Sequence, residues 1–92
     1  MTEQYHIVVE KGLSSTGYGA KISQYGPFDR ATGLVVLARV VDGLEPNVYV
    51  PYKQGTVLRV GETQYLDISD PRWSEPSQTR ITLAEVVRAS PR

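Results

Sequence analysis

The stretch LVVLARVV, residues 34–41, decides how the rest of the chain is read, because it is apolar on both faces of a strand. With the period of two that a strand imposes, Leu34, Val36, Ala38 and Val40 point one way. Val35, Leu37 and Val41 point the other way, interrupted only by Arg39. An antiparallel sheet that shows water one face alternates cleanly between apolar and polar residues. A doubly apolar strand is therefore expected to be covered on its second face by another sheet, a barrel wall or a second copy of the chain.

Outward from that stretch, the alternation predicts strands over 4–11, 20–25, 47–52, 56–60, 63–68 and 80–87. Tyr5, Ile7 and Val9 alternate with His6, Val8 and Glu10, while Ala20 and Ile22 are expected inward with Lys21 and Ser23 toward water. Val48, Val50 and Tyr52 share a face in 47–52, and Pro51, which has no N–H to give a ladder, places that strand at an edge. Gly61-Glu62 has the glycine-first pattern of a two-residue turn and predicts a hairpin between 56–60 and 63–68. In the last strand Ile81 and Leu83 point inward; a helix over 83–89 is the alternative there, since LAEVVRA contains good helix formers. The loops are LSSTGYG (13–19), the run from Gly26 to Gly33, Asp42-Gly43, and SDPRWSEPSQ (69–78). The expected fold is all-β: a small antiparallel, partly open β-barrel or sandwich of six to seven strands. It forms a single domain over 1–92, with residues 88–92 fraying.

Ninety-two residues bury only about 60–65% of the surface their unfolded chain exposes, so pairing with a second copy would add to a thin margin. Ten basic and ten acidic residues balance to a net charge of zero without forming blocks. Nucleic acid is thus an unlikely partner, although an oligonucleotide-binding barrel using stacked aromatics with Arg39, Arg59, Arg72 and Arg80 remains a third reading. The absence of Cys excludes disulfides, thiolate metal sites and thiol catalysis. The opening MTEQYHIVVEKG lacks the basic start and apolar core of a secretory signal, and no apolar run approaches the ~20 residues that span a bilayer. The expected setting is the cytoplasm, with no membrane contact.

Motifs that carry chemistry are incomplete. Gly12-Leu-Ser-Ser-Thr-Gly17 matches the start of a phosphate-binding loop, but Tyr18 stands where the lysine belongs and Gly19 where Ser or Thr belongs. His6, the only histidine, has no metal-ligand spacing around it and reads as a surface or interface imidazole. No G-x-S-x-G elbow is present. Asp67 is expected outward and solvated if Leu66 and Ile68 are core; the reverse orientation would bring Tyr65 and Asp67 inside, where burial favours general-acid chemistry. No catalytic residue, metal ligand or cofactor is assigned, and the balance leans away from an enzyme.

The aromatic residues carry what remains. Tyr outnumbers Phe six to one, and the single Trp lies in a polar loop. Tyr and Trp join apolar area to a polar tip, which suits contact surfaces and ligand rims. Tyr18, Tyr25, Phe28, Tyr49, Tyr52, Arg72 and Trp73 are therefore the candidate binding residues, with Trp73 as an end plug of the barrel as the alternative role. The expected function is a protein–protein interaction module, most simply a homodimer or else a binder of another protein. The alternative is a small barrel enclosing an apolar small molecule, as binder or cofactor-free cyclase or isomerase, in which Tyr18, Tyr65, Asp67 and Trp73 would orient or protonate the substrate.

HIVVEKG (6–12), GYGAKI (17–22), the hairpin LRVGETQYLDI (58–68) and the closing RITLAEV (80–86) give the chain a further feature. In that order they resemble a group of short, functionally uncharacterised actinobacterial β-rich proteins. The resemblance implies a compact all-β fold in an intracellular bacterial setting and no site residues.

Overall fold

Asp29 opens the one helix among the described residues, and with it the reading of residues 34–41 changes. In the computed structural model, which describes residues 3–13, 21–51, 55–69 and 77–88, the chain runs β1 (Tyr5–Leu13), β2 (Lys21–Phe28), α1 (Arg30–Val41), β3 (Gly55–Gly61), β4 (Gln64–Ser69) and β5 (Gln78–Glu85). The described strands form one open antiparallel sheet in the order β2-β1-β5-β4-β3, and the molecule is mostly β. Both β2 and β3 are edges, so the sheet does not close into a barrel.

The doubly apolar segment is helical because its flanks are caps. The Asp29 carboxylate accepts from the Thr32 backbone N–H at 2.7 Å and from the Thr32 hydroxyl at 3.0 Å, filling an orphan donor of the first turn. These bonds hold the Asp29 carboxyl below its ordinary pKa, the backbone bond from Thr32 contributing most. At the other end Gly43 has φ of 76°. Its N–H donates to Val40 at 3.0 Å, and the Leu44 N–H reaches back to Arg39 at 2.9 Å, the paired bonds of a Schellman ending. Gly33, Leu37 and Val40 are buried at helical spacing, while Val35, Ala38 and Arg39 face water. An apolar run that fits neither period cleanly is arbitrated by its caps, and here they select helix over the β preference of four valines.

The predicted strand at 47–52 is also replaced. The Val48 and Tyr49 N–H groups both donate to the Glu45 carbonyl, at 2.9 and 3.1 Å, and turn the chain so that Tyr49 drops into the core and Val50 points to solvent. An ion pair of 2.9 Å from Arg39 to Glu45 anchors this turn to the helix. Of seven predicted strands, the five at the described positions 5–13, 21–28, 55–61, 64–69 and 78–85 form. Residues 83–85 lie in β5, and 86–88 are not helical.

The core lies between α1 and one face of the sheet. Tyr5, Ile7 and Val9 of β1 and Ile81 and Leu83 of β5 meet Leu37, Val40 and Tyr49, with Tyr25, Phe28 and Tyr65 packed at its border. The alternation in β1 and β5 thus falls as expected. In β2 it is inverted: Ser23 pairs with Val9 on the helix side and is half-buried, whereas Ile22 is 70% exposed on the other face.

Candidate interaction surface

The β3–β4 hairpin forms as predicted, with its tip one residue later, at Glu62-Thr63, because Gly61 pairs with Gln64 and the ladder is irregular between Arg59 and Gly61. Pairing with β5 then decides which side of the hairpin faces the core. Tyr65 lies opposite Ile81 and Asp67 opposite Thr79, both on the helix side of the sheet. Directly opposed residues share a face, so Tyr65 and Asp67 turn inward and Leu66 and Ile68 turn outward. Asp67 is 1% exposed, which corrects its expected solvation; both it and Thr79 are engaged by other groups, as buried polar side chains need.

The consequence is an apolar area on the side of the sheet away from α1. Leu58 faces Leu66 across the hairpin and Thr56 faces Ile68, with Val60 beyond them. Leu58 is 44% and Val60 59% exposed, and Leu66 and Ile68 are half-buried. Beside them a shallow groove of about 290 Å³ runs between Val60, Leu66, Gln64, Gln78 and Arg80. Its polar wall is organised: Gln64 Nε2 donates to the Thr82 hydroxyl at 3.1 Å, and Arg80 lies 3.5 Å from Glu10. Toward β1 and β2 the same face is mixed, with Glu10, Gln24 and Thr82 beside Val8 and an isolated, exposed Ile22. On the hairpin the apolar side chains adjoin one another, Leu58 facing Leu66 with Ile68 and Val60 to either side.

A wider groove of about 520 Å³ lies at the opposite corner of this face, lined by His6, Val8, Gln24 and residues 84–88. His6 Nδ1 is buried there without a hydrogen-bond partner among the described residues.

The predicted contact residues are dispersed. Tyr25 and Phe28 stand together on β2, half-buried on the helix side opposite Ile7 and Tyr5. Tyr49 is 2% exposed inside the core and offers no contact surface. Tyr18, Tyr52, Arg72 and Trp73 lie outside the described residues, and with them the question of whether Trp73 plugs or recognises. Of the residues that form the outward apolar surface, Leu66 and Ile68 read in the sequence as core, and Leu58 and Val60 carry no assigned facing. Their signal is that β3 is apolar on both sides, through Val57 as well as Leu58 and Val60. Among the described residues no three metal-ligating side chains gather, and no helix is long and apolar enough to cross a membrane. The chain matches no family model, no curated protein and no solved structure.

Proposed function

We propose that this protein acts by protein–protein contact as a self-associating module, and that a second copy docks on the β3–β4 hairpin through its exposed apolar residues. The observation that carries this reading is the exposure of Leu58 and Val60 beside Leu66 on a sheet face that none of the described elements covers. Exposed apolar ground of this kind, rimmed here by Gln64, Gln78 and Arg80, marks interaction surfaces.

This reading is favoured over enclosure of an apolar small molecule because the open sheet makes no lumen, and Leu37, Val40 and Tyr49 fill its inner face. It is favoured over oligonucleotide binding by the zero net charge. Light scattering over a concentration series tests it. The wild-type mass rises toward twice 10.2 kDa, and Leu66→Glu, which places a charge in the middle of the apolar ground, holds the mass at that of the monomer. A wild-type protein that stays monomeric at high micromolar concentration contradicts the proposal.

A further inference from the structure

Resting on that reading, we propose the mode of association: β3 adds edge to edge to β3 of a second copy, antiparallel, with Leu58 on the twofold axis, so that two sheets become one of ten strands.

The two edges of the sheet differ in how they meet another chain. Edge strands that stay single carry proline, lysine or irregular pairing. On β2, Pro27 lacks an N–H, Lys21 is exposed, and the ladder shifts between Tyr5 and Ile7. In contrast β3 holds neither proline nor lysine, its ladder is regular over residues 55–59 with one shift at its end between Arg59 and Gly61, and it is exposed at all seven residues. Its apolar side chains point both ways: Val57, 44% exposed, toward the helix side, and Leu58 and Val60 toward the outer side. A strand added at this edge brings side chains beside Val57 on one side of the sheet and beside Leu58 and Val60 on the other. A partner lying flat on the outer face would leave Val57 wet.

Self-complementarity selects the register. A twofold axis normal to the sheet pairs residues of the same face, so it must pass through a residue of β3. Centring on Arg59 sets Arg59 against Arg59 of the other copy, and like charges directly opposed destabilise a ladder. Centring on Val57 sets Val60 opposite position 54, outside the described residues of β3, and leaves Leu58 opposite Thr56. Centring on Leu58 sets Leu58 against its own counterpart, Thr56 against Val60 and Val57 against the alkyl stem of Arg59. The irregularity between Arg59 and Gly61 limits regular pairing to residues 56–60. In this arrangement the apolar grounds of both hairpins join across the axis into one strip, and isologous contact closes the assembly at two copies.

The chain has no cysteine, so Leu58→Cys carries the sole thiol. Directly opposed Cβ atoms in an antiparallel pair lie ~4.5–5.5 Å apart, near the spacing a disulfide requires. Under mild oxidation Leu58→Cys forms a covalent dimer at least tenfold faster than Ile22→Cys, an outer-face position on the other edge that is the more exposed of the two. Leu58→Lys, whose circular dichroism reports that it folds, sediments as a monomer where the wild type is dimeric. A dimeric wild type in which Leu58→Cys cross-links no faster than Ile22→Cys overturns the edge pairing and leaves the self-associating module standing. A monomeric wild type overturns both.

Discussion

Gly33 of the helix lies against Leu83 of the central strand so closely that a methyl group on its Cα would sit 2.7 Å from Leu83 Cδ1 and 3.2 Å from Cδ2. This is where α1 seats on the sheet, and it places Leu37 and Val40 over Ile7 and Ile81 in one core. Alanine in place of glycine favours a helix by about 1 kcal/mol, while overpacking a core costs about 1–3 kcal/mol. Gly33→Ala is therefore expected to destabilise by up to ~2 kcal/mol in urea unfolding. In a Leu83→Ala background, where the clash is gone, the same change is neutral or stabilising. Equal effects in both backgrounds would mean that the helix does not seat at Leu83.

Tyr49 is buried with its hydroxyl lacking a hydrogen-bond partner among the described residues. A buried unmatched hydroxyl carries a desolvation cost of about 1–3 kcal/mol. Tyr49→Phe keeps the ring and removes that cost, so thermal unfolding should be unchanged or shifted upward. Tyr49→Ala, which empties the space under α1, is expected to lose about 3–5 kcal/mol. A Tyr49→Phe variant that loses more than ~1 kcal/mol would show that the hydroxyl is bonded.

At the end of the helix, Gly43 holds a left-handed backbone, and an added Cβ would meet Pro51 Cγ at 3.0 Å. A side chain with a Cβ pays about 1–2 kcal/mol for that conformation. Gly43→Ala should lower stability by roughly this amount, and Gly43→Asn by less, because asparagine tolerates the left-handed region. No loss in Gly43→Ala would remove the Schellman ending from the structure.

The Asp29 cap makes stability depend on pH. Its folded pKa lies below that of an ordinary aspartate because the ionised carboxylate accepts from Thr32. A group of this kind stabilises the fold fully above its unfolded pKa of about 3.9, and the contribution fades as pH falls through the folded value. Asp29→Ala should therefore melt a few degrees below the wild type at neutral pH, with the two curves converging in acid. A difference that persists unchanged below pH ~2 would place the effect elsewhere.

How much of this was legible follows from what alternation can and cannot carry. Tyr5, Ile7 and Val9, with Ile81 and Leu83, declare an inward face because their neighbours are polar or charged. The hairpin is legible from Gly61 and the two apolar runs beside it. Residues 34–41 mislead because Asp29 and Asp42-Gly43 are turn residues and cap residues by the same chemistry, and only the backbone between them tells which role they play. The facing of the hairpin is illegible for a different reason. Leu66 and Ile68 are no less apolar than the inward pair of Tyr65 with Asp67 is polar, and it is the ladder to Ile81 and Thr79, distant in sequence, that turns Asp67 inward. Aromatic content pointed to Tyr49 as a contact residue, yet a tyrosine fits a core equally well when a helix closes over it.

Amide hydrogen exchange across residues 56–60, measured on dilute and concentrated wild-type protein, bears most directly on whether a second copy occupies the bare edge of the hairpin. Alternate N–H groups of an unpaired edge strand exchange with water quickly, and pairing slows them. The expected result is protection that grows with protein concentration in 56–60 and stays constant in β2. Exchange in 56–60 that is equally fast at both concentrations would contradict the assembly outright.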